Sequence, residues 1–289
     1  MRKIKLILTC IVLCLLCCLS GCISSNTKNI IELSYDESVY SDDMQVYCFS
    51  AGKADAFLIT TPNSAVLIDT GEKNMGKKIS KYLKQKDIET LDYLIITHFD
   101  KDHVGGAAKI IDSVNVDNIV QTPRTESSEE YINYKTAISA SNATVTTVNG
   151  AVSFVLDNVT YYITSPQSDR YRVDDDNNSS LITSVINGKN KLLFLADAQD
   201  FRLEEFIETN KLTYDFIKFP YHGNWQESLT SLLDCVNTSY TVITSSDKEP
   251  ENDKTIDLLN DYGVQTFLTR QAPVIINSDG QNITVRYDE

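Results

Sequence analysis

"IITHFDKDHVGG", Ile95 to Gly106, places two histidines and two aspartates within six residues. The whole 289-residue chain has three histidines, so this is a concentration of metal-binding and proton-handling groups. The stretch continues from Leu91–Ile96, a run apolar but for Asp92 and of the kind that forms a buried strand. It ends in a glycine pair, Gly105 and Gly106, which lets the chain turn without a Cβ clash. His98 and Asp100 alternate along the chain and so share a side, while Asp102 and His103 come from the tightening turn. Imidazole and carboxylate are the ligands of zinc, manganese and iron. A solvated loop with a helix cap at Asp100 or Asp102 accounts for the same string.

Two distant stretches repeat the context. "LLFLADAQD" sets Asp197 at the end of an apolar strand, directly before a helix. "FIKFPYHGNW" sets His222, the third histidine, past another apolar strand and ahead of Gly223. All three histidines therefore follow apolar strands in polar turns. A histidine satisfied within a core network is the ordinary reading for one such residue, and a poor one for all three.

Outward from these motifs, short apolar runs alternate with segments of helical period. Strands are expected at Met44–Phe49, Ala56–Thr60, Ala65–Ile68, Leu91–Ile96, Asn118–Gln121, Thr144–Val148, Ser153–Leu156 and Thr160–Thr164. Leu181–Ile186 and Lys191–Leu195 form a hairpin around "NGKN", and later strands follow at 216–219, 241–244, 265–268, 274–277 and 283–286. Helices are expected at Met75–Gln85, Ala107–Ser113, Glu129–Ala140, Phe201–Glu208, Glu227–Asp234 and Thr255–Tyr262. Ser165–Ser180 is a long polar loop, a type that often carries function. Strands interleaved with helices in both halves predict an α/β fold of two packed sheets with helices outside. No linker divides residues 44–289, which read as one domain.

The motif set resembles the metallo-β-lactamase superfamily, and within it the extracytoplasmic hydrolase-like domain of the competence ComEC/Rec2 type. The likeness runs in order from Met44 to Gly280, through "FSAGKADAFLITTPNSAVLIDTG", "THFDKDHVGG", "NNSSLIT…LLFLADA" and "IKFPYHG". It implies an αββα sandwich of two mixed β-sheets with a metal site on one edge. By the same resemblance His98, Asp100 and Asp197 hold one divalent ion. Asp102, His103, Asp197 and His222 hold another, Asp197 bridging. Asp69 stands behind the ligands and fixes an imidazole tautomer; Asp55 braces its loop or is a plain turn residue. Asp102 doubles as proton acceptor for the attacking water. Asn178, Ser179 and Lys218 are candidates for orienting an anionic substrate, with an outward-facing strand lysine as the other reading of Lys218. The chain departs from many relatives in carrying Asp100 for a histidine, no histidine between the first cluster and Asp197, and Tyr221 in place of the first histidine of "HHG". Three imidazoles among oxygen ligands make a hard site, so manganese rivals zinc, with iron a further candidate.

The amino terminus, with Arg2, Lys3 and Lys5 before "LILTCIVLCLLCCL" and "LSGC", resembles a lipoprotein signal. Residues 1–21 are then the signal peptide, and Cys22 carries the lipid that holds the protein on the membrane outside the cytoplasm; an uncleaved anchor is the alternative. Residues 22–43 read as a flexible tether. Of seven cysteines only Cys48 and Cys235 lie beyond Cys22, too few for a disulfide framework, so free thiols are expected with one optional bridge. Net charge is −14, and loss of the leader's three cations makes it more negative. Such a surface disfavours extended duplex nucleic acid. The expected activity is phosphodiester hydrolysis, of nucleic acid or another phosphate ester, small or polymeric. The alternatives are a carboxylic ester, thioester or lactam hydrolase, or a non-catalytic metal- or ligand-binding lipoprotein.

Overall fold

The structure is a computed structural model and describes residues 33–288. The leader, Cys22 and the first part of the tether lie outside the described residues. Strands β1 (Met44–Cys48), β2 (Phe57–Thr60) and β3 (Ala65–Ile68) form a meander, followed by helix α1 (Met75–Gln85) and β4 (Thr90–Ile96). Two short helices, α2 (Lys101–Val104) and α3 (Ala107–Ile111), lead to β5 (Asn115–Gln121), α4 (Glu129–Ala140) and β6 (Thr144–Thr147). With the carboxy-terminal pair β14 (Val274–Ser278) and β15 (Ile283–Tyr287), these strands make a sheet in the order β15-β14-β1-β2-β3-β4-β5-β6.

The second sheet has the order β13-β12-β11-β10-β9-β8-β7. Its antiparallel part is β7 (Ala151–Leu156), β8 (Val159–Thr164) and β9 (Ile182–Asn187), with the short helix α5 (Asp175–Asn178) inside the loop before β9. Its parallel part is β10 (Asn190–Phe194), β11 (Phe216–Lys218), β12 (Tyr240–Ile243) and β13 (Gln265–Leu268). Helices α6 (Asp200–Thr209), α7 (Leu229–Val236) and α8 (Asp253–Asp261) cover its outer face. Both sheets are mixed, and the αββα sandwich expected from the sequence is the observed fold.

Parity along the apolar runs builds the layers, because successive side chains of a strand point to opposite faces. In β4, Ile95 enters the core between the sheets, while its neighbours Leu94 and Ile96 pack under α1, α3 and α4. In β10, Leu192 and Phe194 face inward and Leu193 faces the outer helices. The sheets interlock through aromatic contacts such as Phe57 on Phe194, edge to face at 5.4 Å between ring centroids, and Tyr93 stacked on Phe154.

Two local features differ from expectation, the end of the tether and the backbone of the glycine pair, while the cysteines are the free thiols expected. The polar amino-terminal segment does not stay free up to Asp43: Ser41 is buried, its N–H donating to Asn187 Oδ1 (2.7 Å) and its carbonyl accepting from Asn187 Nδ2 (2.8 Å). Cys48 lies in the inter-sheet core and Cys235 on α7, both as free thiols, so the optional bridge does not form. The glycine pair does not serve left-handed backbone, since Gly105 and Gly106 have φ of −57° and −82°. It serves close approach instead. A Cβ on Gly106 would stand 2.5 Å from Thr70 O and 2.9 Å from Gly76 N, and one on Gly105 would run into Lys101 O. Gly106→Ala should therefore destabilise the fold by about 1–3 kcal/mol through overpacking alone, measured as a lowered urea midpoint at unchanged m-value.

Candidate metal centre

The carboxyl ends of the parallel strands of both sheets meet at one edge, the position at which open α/β sheets present their ligands. Asp69 follows β3, Thr97 and His98 follow β4, Asp197 follows β10, His222 follows β11 and Thr244 follows β12. Asp102 and His103 sit on α2, and Asp55 on the loop between β1 and β2. Asp100 takes the N-cap position of α2 without a side-chain cap bond, so its carboxylate is left for the pocket. Several of these turns hold non-glycine residues in left-handed backbone: Asp69, Ala196, Tyr221 and His222 have φ of 56°, 48°, 47° and 53°. Such conformations persist where surrounding bonds enforce them. Here Tyr221 N–H donates to Ala196 O (3.1 Å), and Asp69 N–H to Ile95 O (2.9 Å).

Each imidazole is pinned through Nδ1. His103 Nδ1 lies 2.8 Å from Asp69 Oδ2, a bond in which the ring donates. Thr244 Oγ1 donates to Asp55 Oδ1 (2.7 Å) and so accepts from His222 Nδ1 at 2.8 Å. Thr97 Oγ1 donates to Asp69 Oδ2 (2.7 Å) and so accepts from His98 Nδ1 at 3.2 Å. Ser180 Oγ stands 3.4 Å from the same nitrogen. Hydrogen positions are assigned from this network. With every Nδ1 committed, every Nε2 faces the pocket.

Those three Nε2 atoms, and Asp197 Oδ1, are buried without a hydrogen-bond partner. Asp197 lies 3.0 Å from His222 Nε2 and 3.3 Å from His103 Nε2, near enough for charge attraction but out of line for a hydrogen bond. Asp102 Oδ2 is 3.4 Å from His222 Nε2. Donor atoms of Asp102, His103, Asp197 and His222 all lie within 4.8 Å of one another. Buried donors converging without partners are what a cation would complete, so the residues fit a divalent ion.

The His98 side is looser. His98 Nε2 is 3.6 Å from Asp100 Oδ2, and the His98 and His103 rings are 4.0 Å apart. Among the described residues, Asp197 joins only the Asp102–His103–His222 group within the 4.8 Å radius. Asp100 and Asp102 have side chains 36% and 22% exposed, against 4% or less for Asp197 and the imidazoles. These two carboxylates are therefore the face open to substrate. Tyr221 and Asp176 lie within reach of the Asp100 charge. Burial and the charges of Asp197, Asp174 and Asp100 push the Tyr221 phenol upward, which keeps it a proton donor.

The residues expected behind the ligands lie there. Asp69 holds His103 and Thr97, and Asp55 braces the turns around it, its N–H donating to Asp102 O and its carbonyl accepting from Gly71 N–H, with its carboxylate buried beneath the cage. The expected substrate-orienting residues do not reach the pocket. Asn178 donates to Val173 O and Asp174 O and accepts from Arg202 N–H, which spends its amide on holding α5. Ser179 Oγ donates to Asp176 O (2.6 Å). Lys218 is fully buried, because it shares parity with Phe216 and points between the sheets. It is neither an outward-facing strand lysine nor a substrate contact. Thr97 and Thr244 escaped the sequence reading, although each sits just past an apolar strand, as the ligands do.

Electrostatics match the geometry. Burial alone would lower the His103 and His222 pKa values, but Asp197 with Asp69 and Asp55 around His103, and Asp197 with Asp102 around His222, raise both above the usual histidine value. Burial raises Asp197 and Asp102, and the imidazoles outweigh it to leave both carboxylates depressed and ionised.

Residues 50–243 match the metallo-beta-lactamase superfamily. The chain belongs to that superfamily. It is a metal-dependent hydrolase family, and the expected likeness to the ComEC/Rec2 type is also present. Recombination protein 2 of Haemophilus influenzae is 29% identical over 213 residues, 71% of this chain and 25% of that protein. Beta-lactamase-like protein 2 homolog of Caenorhabditis elegans is 34% identical over 68 residues, 23% of each chain. The matches thus span about a quarter of the length of these relatives. The metallo-beta-lactamase fold protein YhfI from Bacillus subtilis superposes with a TM-score of 0.53 at 12% identity, over 79% of this chain and 96% of that one. CmlA, a diiron beta-hydroxylase from Streptomyces venezuelae, gives 0.51 at 14% identity, over 78% and 52%. At such identities these structures establish the fold.

Because a ligating imidazole must first shed its proton, metal affinity should rise with pH through the raised histidine pKa values and then level off. Titration calorimetry in two buffers of different ionisation enthalpy should show proton release on Mn²⁺ binding. Asp69→Asn should weaken that affinity by roughly 10- to 100-fold.

Proposed function

We infer that the protein is a metal-dependent phosphodiesterase acting outside the cytoplasm. The observation that carries this reading is the oxygen-rich donor set, three imidazoles with Asp100, Asp102 and Asp197, opening to solvent on its carboxylate side. Such a set suits hard ions, manganese and iron as well as zinc. The likeness to Recombination protein 2 supports a phosphodiester rather than a carboxyl substrate. A bound divalent ion would supply a water acidified enough to attack at neutral pH. The chain's residues do the rest. Asp69, Thr97 and Thr244 hold the rings in the tautomer that ligates. Asp102, ionised and partly exposed beside His222, accepts the proton of the attacking water. The Tyr221 phenol on the rim donates to an oxygen of the bound ester.

Net charge of −14 and the acidic rim oppose long polyanions. The substrate is therefore a short or single phosphodiester, such as a headgroup or a nucleotide end. The leader sequence through Cys22 supports a lipid-anchored location, which puts surface phosphate esters within reach.

The purified protein loaded with Mn²⁺ should hydrolyse bis(p-nitrophenyl) phosphate and leave nitrocefin intact. Asp102→Asn should lower kcat by about 10²- to 10⁴-fold, and His103→Ala should abolish turnover together with metal retention. Nitrocefin hydrolysis without phosphodiester cleavage would turn the assignment to an acyl substrate, and metal uptake with neither activity would make the protein a binder.

A further inference from the structure

Lys218 is the least expected group in the molecule: an ammonium with no exposure at all, sealed between the sheets beneath the cage. Its Nζ is met by oxygens. Asp55 Oδ2 lies at 2.5 Å, Ala196 O accepts a hydrogen bond at 2.7 Å, and Asp197 Oδ1 lies at 3.5 Å. Asp55 Oδ2 takes no well-aligned hydrogen bond, so the lysine charge is what offsets it. The same Asp55 is a corner of a second buried donor group, with Asp69 and His103, whose atoms also lie within 4.8 Å of one another. Two cation-attracting groups therefore overlap in the fold, an outer one around Asp197 and His222 and an inner one around Asp55. They share His103.

We propose that Lys218 is a resident cation: its ammonium fills the inner oxygen pocket of Asp55, Asp197 and Ala196, and so confines divalent ions to the outer, solvent-facing pocket. A buried carboxylate pair without a counter-charge would either take up a proton or draw a metal inward. An inward metal would be sealed from substrate and would compete for His103 and Asp197. The lysine prevents both while also tying the strained turn at Ala196 to β11. It touches neither substrate nor the outer ion, and acts through Asp55 and Asp197 as a positioning residue. This inference rests on the Asp102–His103–Asp197–His222 group being a metal centre, but not on which bond is hydrolysed.

The test is an ion count that needs no turnover. Wild-type protein, Lys218→Ala and Lys218→Ala/Asp55→Asn are dialysed to equilibrium against Mn²⁺, and the metal per folded chain is read by mass spectrometry beside circular dichroism. Lys218→Ala opens the inner pocket and should hold about one more Mn²⁺ per chain than wild type, oxygen donors being suited to that ion. Its thermal midpoint should depend more steeply on Mn²⁺ concentration. The double variant lacks the inner anion and should return to the wild-type count. An unchanged or smaller count in folded Lys218→Ala overturns the proposal, as does an extra ion in the double variant. So does a Lys218→Ala chain that fails to fold with Mn²⁺ present while the double variant folds. Wild-type protein that binds no Mn²⁺ removes the metal centre on which both readings rest, whereas an outer ion without phosphodiester cleavage would sink only the proposed reaction.

Discussion

The structure turns on a hydrogen-bonding constraint: each of three imidazoles has its Nδ1 held from behind, so that each Nε2 is delivered to one pocket without a partner. An imidazole left free would bond through either nitrogen and spend its lone pair on the protein. Asp69 and two threonines remove that freedom. Asp69 is central, since one carboxylate accepts from His103, Thr97 Oγ1 and Thr97 N–H together. Its own backbone is left-handed, which turns the side chain inward from the end of β3. The sheet geometry, the strained turn and the tautomer of two histidines are thus one device.

That device requires burying more charge than a hydrophobic core tolerates. Asp55, Asp69, Asp197, His103, His222 and Lys218 are all nearly or wholly sealed. Isolated, each would cost several kcal/mol. Together they neutralise one another in a closed circuit that runs from Lys218 through Asp55 and Thr244 to His222, and back through Asp197. Within the circuit, Asp55 Oδ2 is met by the lysine charge alone, and the other atoms without a hydrogen-bond partner, Asp197 Oδ1 and His222 Nε2, belong to the cage. Removing one member leaves a partner stranded, so the metal centre and the stability of this edge are linked.

Much of this was legible in the sequence, for a physical reason. A strand covered on both faces needs a mostly apolar run, and "LDYLII", "KLLFLA" and "DFIKF" are such runs, broken only by Asp92, Lys191, Asp215 and Lys218, with polar groups just past their ends. They located β4, β10 and β11, and with them His98, His103, Asp197 and His222. Short-range signals failed where long-range contacts decide. Helix α2 is a single turn held by its neighbours, and beyond the cap candidate Asp100 nothing around "KDHV" announces it. Asn178 and Ser179 looked like free polar groups because Arg202, the residue that consumes Asn178, lies 24 positions away. Lys218 was open to correction by counting, since it sits two residues from Phe216 and shares its face.

The division of labour between the two edges of the pocket follows from the same layout. On the inner side everything is fixed by strands, whose ends are set by parallel pairing from β3 to β4 and from β10 to β12. On the outer side stand Asp100, Asp102, Asp176 and Tyr221, carried by short turns and partly exposed. Turns of this kind change shape and composition without disturbing the sheets beneath them. The inner edge therefore dictates that a cation binds and how it is held. The outer edge, acidic and bearing the Tyr221 phenol, is where a substrate would meet the centre, and its charge disfavours ligands that carry many negative charges.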